Sequence, residues 1–146
     1  MSNDAAVPFS TTLQVRDQCL CLHAQRAARA LARLFDQALM PAGLTNGQFS
    51  LLMSLNRPQP PSLASVASLL VMDRTTLTAA LKPLERRGLV RVEVDAGDRR
   101  VRRLCLTGQG RASLAAAVPI WRREHERLEA LLGDPGRLRA DLVALS

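Results

Sequence analysis

The stretch from Val71 to Gly110 constrains this sequence most, because helical and strand periodicities follow each other within it. Asp73 is a good helix N-cap, since its carboxylate can accept hydrogen bonds from the free N–H groups of the next turn. Gly88 ends this helix at a position where a residue of positive φ is favoured. Two alternating segments, residues 89–94 and 101–106, then predict a β-hairpin. The buried face of the helix is predicted from leucines at helical spacing, which are Leu77, Leu81 and Leu84.

The other face of this helix is polar and cationic, and the hairpin after it is rich in arginine. A helix fits the major groove of DNA, and a hairpin tip can reach phosphates or the neighbouring minor groove. An arginine-rich hairpin alone is often only a solvated surface. With the cationic helix directly before it, nucleic-acid binding is the better interpretation. The residues concerned are Arg74, Thr75, Thr78, Lys82 and Arg86 on the helix, and Arg91, Arg99, Arg100, Arg102 and Arg103 around the tip.

The same stretch resembles the winged helix-turn-helix of the MarR-type transcriptional regulators. The resemblance implies an obligate homodimer that binds pseudo-palindromic, double-stranded operator DNA, most often as a repressor. It also implies that a small molecule or an oxidant releases the DNA, and that small phenolic or aromatic acids are common effectors. The segments that carry the resemblance are Asp73–Leu77, Leu84–Val90, Asp98–Arg100 and Leu104–Gly110, the last reading L-C-L-T-G-Q-G.

Matched onto the family motif, Asp98 and Arg100 form the tip of the wing. Arg100 would reach the minor groove or the DNA backbone, and Asp98 would hold it or a neighbouring arginine in place. Arg99 and Arg102 are expected to contact phosphates. Pro83 departs from the usual recognition helix and predicts a kink, because it removes one intrahelical N–H donor. The residues expected to face the major groove are Arg74, Thr75, Thr76, Thr78 and Lys82.

The whole chain is expected to be mainly α-helical with a small β-hairpin wing. Residues 1–10 carry little pattern and are expected to be a flexible tail, and residues 11–146 a single MarR-like domain. The winged helix-turn-helix would occupy about residues 45–107. Two helical segments, 12–40 and 108–146, would form the dimerisation region. Within it, a coiled-coil-like seam is predicted from four-three spacing of Leu114, Val118, Trp121, His125, Leu128 and Leu132.

The boundaries of these helices follow from caps and helix breakers. A single long helix is predicted from Thr12 to Met40, and Thr45 with Gln48 forms a capping box for the next helix. Ser62 can cap a short helix through Val71. From Gly108 a long helix, capped by Thr107, is predicted to about Leu132, and Asp134 with Pro135 begins a last one.

Composition limits the classes of protein further. The net charge is +7, and arginine, whose fork of donors suits phosphate and guanine, supplies all but one of the basic residues. Neither a signal peptide nor an apolar run of the roughly 18 residues that a membrane helix needs is evident. Three cysteines, an odd number, do not suggest a disulfide framework. A cytoplasmic protein with free thiols and no membrane contact is the natural interpretation.

No catalytic constellation, phosphate-binding loop or dinucleotide-binding glycine pattern is present in the sequence, which predicts a protein that is not an enzyme and needs no cofactor. His125 falls in the apolar seam and is expected to be a packed interface residue. The cysteines are therefore the remaining residues of the sequence that could be chemically reactive.

Cys19, Cys21 and His23 leave three interpretations open: structural thiols, a redox or electrophile sensor, and a metal site. On an intact helix Cys19 and Cys21 point about 200° apart and cannot easily bridge or share a metal. Cys19 and His23 can share a face, and His23 could then activate the Cys19 thiol. Cys105 alternates with Leu104 and so is expected to face outward on the wing.

Two functions from other classes compete with the regulator interpretation. A winged helix can serve protein–protein contact, with its basic face docking an acidic partner. A thiol oxidoreductase using Cys19 or Cys21 is the least favoured alternative, because no second cysteine is placed beside a helix N-terminus.

An effector pocket, by the resemblance, would be walled by the first helix, the helix after Thr45 and the long helix after Thr107.

Overall fold

The computed structural model describes residues 6–146 and is mainly helical, with one two-stranded antiparallel sheet, as the sequence predicted. No helix in that part of the chain combines the length and the apolar character needed to cross a membrane. The elements are α1 (Phe9–Gln18), α2 (Leu20–Ala38), a 3-10 turn (Met40–Ala42), α3 (Asn46–Leu55), α4 (Leu63–Leu69), α5 (Arg74–Arg86), β1 (Val90–Val94), β2 (Arg102–Leu106), α6 (Gly108–Glu129) and α7 (Pro135–Ala144).

The chain divides into two compact units, of which the first comprises the described residues up to Leu34. The single helix predicted from Thr12 is wrong: α1 and α2 are separate and meet at Cys19, whose backbone is extended at ψ 110°. The Cys19 sulfur accepts from the N–H of Leu22 over 3.4 Å and so caps α2. Of the predicted tail, residues 1–5 lie outside the described residues, and Phe9 already begins α1.

The second unit, Phe35–Ser146, has an aliphatic core to which α3, α4, α5, the wing and α6 all contribute. Its most deeply buried side chains are largely leucines, which fits a sequence with only 3% aromatic residues. The predicted N-caps are confirmed, since each side chain accepts from a backbone N–H in the first turn of its helix. These caps are Thr45 on α3, Ser62 on α4, Asp73 on α5, Thr107 on α6 and Asp134 on α7.

The ends of α4 and α5 share one backbone motif, with the residue after the C-cap in the left-handed region. After α5 this residue is the predicted Gly88, at φ 72°, and the N–H of Leu89 donates to the carbonyl of Leu84 over 2.9 Å. After α4 the equivalent residue is Val71, at φ 53°. A β-branched side chain strains this conformation. The turn that leads into α5 is therefore held under strain.

Cys105 lies on the outer face of the hairpin, as expected, but its side chain is buried there. The wing pairs Arg91 with Cys105 on the face of the hairpin that points away from the core. That face is nevertheless covered, because Cys105 Sγ lies 3.6 Å from a carboxylate oxygen of Glu93, and Arg57, Pro58 and Pro60 of the α3–α4 loop line one cavity together with Cys105. Only 6% of Cys105 is exposed, and burial raises the pKa of its thiol.

The C-terminal helices agree with the predicted order, although α6 ends at Glu129 rather than near Leu132.

His125 lies within an aromatic cluster of the same chain, with its ring centroid 4.7 Å from that of Trp121 and 6.4 Å from that of Phe35. Glu129 approaches its ring nitrogen at 3.6 Å. The His125 side chain, which belongs to α6, is therefore packed within one chain, and its expected place in a dimer interface stays a prediction.

Candidate nucleic-acid interface

The α5 helix buries one face and leaves the other open, as its sequence pattern predicted. Leu77, Leu81 and Leu84 are buried in the core. The helix runs on through Pro83 to Arg86, and the predicted kink stays a prediction. The five residues expected to face the major groove, Arg74, Thr75, Thr76, Thr78 and Lys82, are all exposed.

Thr76 differs from the other four because its hydroxyl is already engaged. It donates to one carboxylate oxygen of Asp73 over 2.8 Å, while the N–H of Thr76 donates to the other over 2.7 Å. These two hydrogen bonds lower the pKa of Asp73, because they stabilise the charged carboxylate. Thr76 therefore serves the N-terminus of α5 in this structure, and its hydroxyl is less available to a base.

The tip of the wing is organised around Asp98 and Arg100. Asp98 accepts from the backbone N–H of Arg100 over 3.0 Å and from two nitrogens of its guanidinium over 3.2 Å each. These bonds lower the pKa of Asp98. The Arg100 side chain remains 91% exposed despite them. The pair thus holds a guanidinium in a fixed direction at the tip.

Asp95 is a second organising carboxylate, which the sequence prediction missed. One of its oxygens accepts from the N–H groups of Gly97 and Asp98 over 3.0 and 2.9 Å, and the other accepts from Arg103 Nε over 2.9 Å. The bond from Arg103 is the largest cause of the lowered pKa of Asp95. The D-A-G-D sequence is a signal for the two turn bonds. The partnership with Arg103 depends on strand register and had no such signal.

The recognition helix and the wing face a common notch. A cavity of about 300 Å³ is lined by Arg74 at the start of α5, by the wing residues Arg100–Arg103 and by Ser62–Ala64 at the start of α4. The lining contains four arginines and no carboxylate residue. Such a surface suits a segment of phosphate backbone, because guanidinium groups bind phosphate through paired hydrogen bonds.

A larger and more apolar cavity lies on another side of the second unit. Its volume is about 530 Å³, and its walls come from α3, the end of α4 and α6. The walls expected from α3 and α6 are present, but the first helix, also expected, supplies no lining residue, and Leu69 and Leu70 at the end of α4 form the third wall. Trp121 lines this cavity and stacks on Phe49 at a centroid distance of 6.2 Å. Arg122 adds one cation to the lining.

The thiols of the first unit are not arranged as the sequence predicted, because His23 contacts the backbone of Cys19 and not its thiol. Cys21 is exposed and Cys19 half-buried at the break between α1 and α2. His23 directs its ring nitrogen at the carbonyl oxygen of Cys19 over 2.7 Å, rather than at the thiol. Cys21 Sγ accepts from the amide of Gln25 over 3.3 Å. Among residues 6–146, no three potential metal ligands of the His, Cys, Asp and Glu types come together.

The sequence profile of the MarR family matches residues 44–101, which include α3, α4, α5, the first strand of the wing and its tip. The transcriptional regulator HosA of Escherichia coli O111:H- is 36% identical over 103 residues, covering 68% of this chain and 75% of that protein. HosA of Escherichia coli O157:H7 is 39% identical over 79 residues, so the chain matches 57% of the length of that relative.

Solved structures agree over more of the chain. The regulator MosR of Mycobacterium tuberculosis, in complex with DNA, is 42% identical with a TM-score of 0.82, covering 88% of this chain and 93% of that one. The repressor CouR bound to a 23-mer DNA duplex is 32% identical with a TM-score of 0.75, covering 90% and 92%. CouR has also been solved with p-coumaroyl-CoA, at 31% identity and a TM-score of 0.76, covering 90% and 91%. The names of these proteins describe regulators rather than enzymes.

Proposed function

The chain belongs to the MarR family of winged helix-turn-helix transcriptional regulators, and on that premise we propose that it is a dimeric repressor of operator DNA. The observation that carries the proposal is the cationic notch shared by the start of α5 and the wing. A groove-reading helix and a phosphate-binding hairpin are joined there in one surface. The relatives MosR and CouR, solved with DNA, support this proposal.

The exposed face of α5 would read base edges in the major groove, and the wing would fix the register. Thr75, Thr78 and Lys82 are exposed and would contact base edges, whereas Arg74 also lines the notch and would contact phosphate. Arg100, held by Asp98, would enter the minor groove or meet the backbone. Arg99 and Arg102 would contact phosphates, and Arg102 is steadied by its bond to the carbonyl oxygen of Arg99 over 2.9 Å.

The helices outside the winged helix leave large apolar side chains exposed, which supports a dimer. α1 and α2 contain no buried residue, and neither does α7. Exposed apolar surface of this extent marks an interaction site. A second copy of the chain is the partner that we propose, since two recognition helices reading a pseudo-palindrome need a separation of about 34 Å. The apolar residues concerned are Val15, Leu20, Leu31, Leu131, Leu138, Leu142 and Leu145.

The apolar cavity between α3, α4 and α6 is the proposed site of a small-molecule effector. Its stacked Trp121 and Phe49 suit a flat aromatic ring, and Arg122 suits a carboxylate beside the ring. A small phenolic or aromatic acid meets both requirements. CouR, solved with p-coumaroyl-CoA, is a relative with an aromatic ligand.

Oxidation is the alternative trigger, and the break at Cys19 is the observation that favours it. The Cys19 sulfur caps α2, so its oxidation, which adds oxygen to the sulfur, would change the size and the geometry of the acceptor at the first turn of that helix. Cys19 is not within a helix, so the helical geometry that separates its thiol from that of Cys21 does not apply at this point. His23 would orient the carbonyl of Cys19 rather than activate its thiol.

The proposal is tested by binding of the purified protein to DNA from upstream of its own gene. We expect a saturable complex of two chains per site whose affinity falls steeply with salt, because phosphate contacts release counterions. Sedimentation of the DNA-free protein should show a dimer. Weak binding without salt dependence would overturn the proposal and favour a winged helix that contacts an acidic protein partner.

A further inference from the structure

The outer face of the wing carries a second basic cavity, separate from the notch that faces DNA. It has a volume of about 300 Å³ and is closed by the α3–α4 loop on one side and the start of α6 on the other. None of the residues that line it belongs to the major-groove set or to the tip pair Asp98 and Arg100. Arg91, which the sequence placed near the tip, instead pairs with Cys105 near the opposite end of the hairpin. The cavity therefore needs its own explanation.

Three arginines from three separate segments converge on this cavity. Arg57 comes from the loop after α3, Arg91 from β1 and Arg111 from the first turns of α6. Surface arginines scattered for solubility have no reason to meet in one concave site. Their arrangement depends on the tertiary packing of the loop, the hairpin and the helix.

The charges in the cavity do not balance. Glu93 is the one carboxylate residue in the lining, and it is already engaged by Arg91 Nε over 2.6 Å. That pair lowers the pKa of Glu93, so its carboxylate stays charged at neutral pH. Arg57 and Arg111 form no ion pair within the described part of the chain. Two guanidinium groups therefore remain without a counter-charge.

The buried thiol of Cys105 also lines the cavity. Its pKa is raised by burial and by the nearby Glu93, so it stays a neutral thiol and adds no negative charge. A neutral thiol leaves the lining net positive. The thiol contributes a small, weakly polar surface at the base of the site.

We propose that this cavity binds a phosphate group between Arg57 and Arg111, with the Arg91–Glu93 pair as its floor. Phosphate matches the geometry of the guanidinium fork and supplies the missing charge. The group can come from a free phosphate-bearing ligand or from DNA that extends past the wing. Both sources present the same chemistry to the two arginines, and the experiment separates them.

The test compares the wild-type protein, the double variant Arg57→Gln/Arg111→Gln and the control Arg123→Gln/Arg127→Gln, which removes equal charge from exposed positions of α6. Pyrophosphate is titrated calorimetrically into DNA-free protein. A free ligand predicts one site per chain that the double variant weakens by about tenfold and the control leaves unchanged.

DNA as the source predicts no pyrophosphate binding, but tighter binding of longer operator fragments. The gain with length, and about one unit or more of the salt slope, should then be lost in the double variant and kept in the control. Absence of both effects overturns the proposal. If the protein bound no DNA at all, the pyrophosphate titration alone would decide, so this inference and the proposed repressor function can fail separately.

Discussion

Arg103 Nε donates to Asp95 Oδ1 over 2.9 Å and thereby ties the second strand of the wing to the loop that precedes it. The other oxygen of Asp95 receives the N–H groups of Gly97 and Asp98. One carboxylate thus sets the path of the loop that carries Arg100. We therefore expect Asp95 to be a positioning residue, which would act on DNA only through the residues that it holds.

Replacing Asp95 by alanine is expected to weaken operator binding by about tenfold, because the loop loses three hydrogen bonds and Arg100 loses its fixed direction. Fluorescence anisotropy with labelled operator measures the change. Asp95→Asn should fall between the wild type and Asp95→Ala, since an amide oxygen can still accept. Equal affinities for all three proteins would contradict the role of Asp95.

The lowered pKa of Asp95 predicts how the wing responds to acid. A carboxyl group with a depressed folded-state pKa stabilises the fold in full above its unfolded pKa, near 3.8, and this contribution is lost as pH falls through the lowered value. We therefore expect the wing to stay ordered from neutral pH to about pH 4 and to loosen below it. Amide exchange at Gly97 and Asp98, followed by NMR across this range, measures the effect. Asp95→Ala should abolish the pH dependence at these two amides.

Arg100→Ala should weaken operator binding by at least about tenfold, since an oriented cation is removed from the tip of the wing. Arg99→Ala should mainly reduce the slope of log affinity against log salt by about one, as expected for one phosphate contact. Titrations at several salt concentrations distinguish these two results. If Arg100→Ala bound as tightly as the wild type, the wing would have no part in recognition.

Gly110→Ala should destabilise the protein by about 1–3 kcal/mol through overpacking. A Cβ at this position would lie 2.2 Å from the carbonyl oxygen of Leu89 and 2.7 Å from a methyl carbon of Leu106. Gly108 is the matched control, because a Cβ there meets nothing within 4 Å. Thermal unfolding should therefore separate Gly110→Ala from Gly108→Ala. Similar melting temperatures for the two variants would show that this approach is not tight in solution.

Peroxide should release operator DNA from the wild type but not from Cys19→Ser, if Cys19 is the sensor. The serine hydroxyl can still cap α2, so the variant is expected to keep its fold and its DNA affinity. A gel-shift titration with and without peroxide measures the response. Cys105→Ser is the control and should respond like the wild type, because the Cys105 thiol has a raised pKa. Release of DNA from Cys19→Ser would exclude this thiol as the trigger.

Local signals in the sequence predicted the elements of the second unit well. The caps at Thr45, Asp73 and Thr107 depend on residues within one turn, so the sequence alone contains the information. The pairing of Asp98 with Arg100 is equally local. The DNA-contact roles of these residues rest on the family resemblance, and they remain to be measured.

Features that depend on distant segments were missed. The burial of Cys105 requires the α3–α4 loop to cover the outer face of the hairpin, which strand alternation does not contain. The bond between Asp95 and Arg103 requires the strand register. The break at Cys19 has neither glycine nor proline to mark it, and a sulfur atom takes the capping role that oxygen usually has.

The hydroxyl of Thr107 has a consequence for the spacing of the two α5 helices in the proposed dimer. It donates to the carbonyl of Gly88 over 2.6 Å and accepts from the N–H of Gly110 over 3.0 Å. One atom thus fastens the end of α5 to the beginning of α6. If the chain dimerises through its terminal helices, a tilt of α6 would move α5 with it, because the Thr107 hydroxyl connects the two helix ends. We therefore expect that loss of the Thr107 hydroxyl would reduce the protein's discrimination between operators whose half-site spacings differ by one base pair.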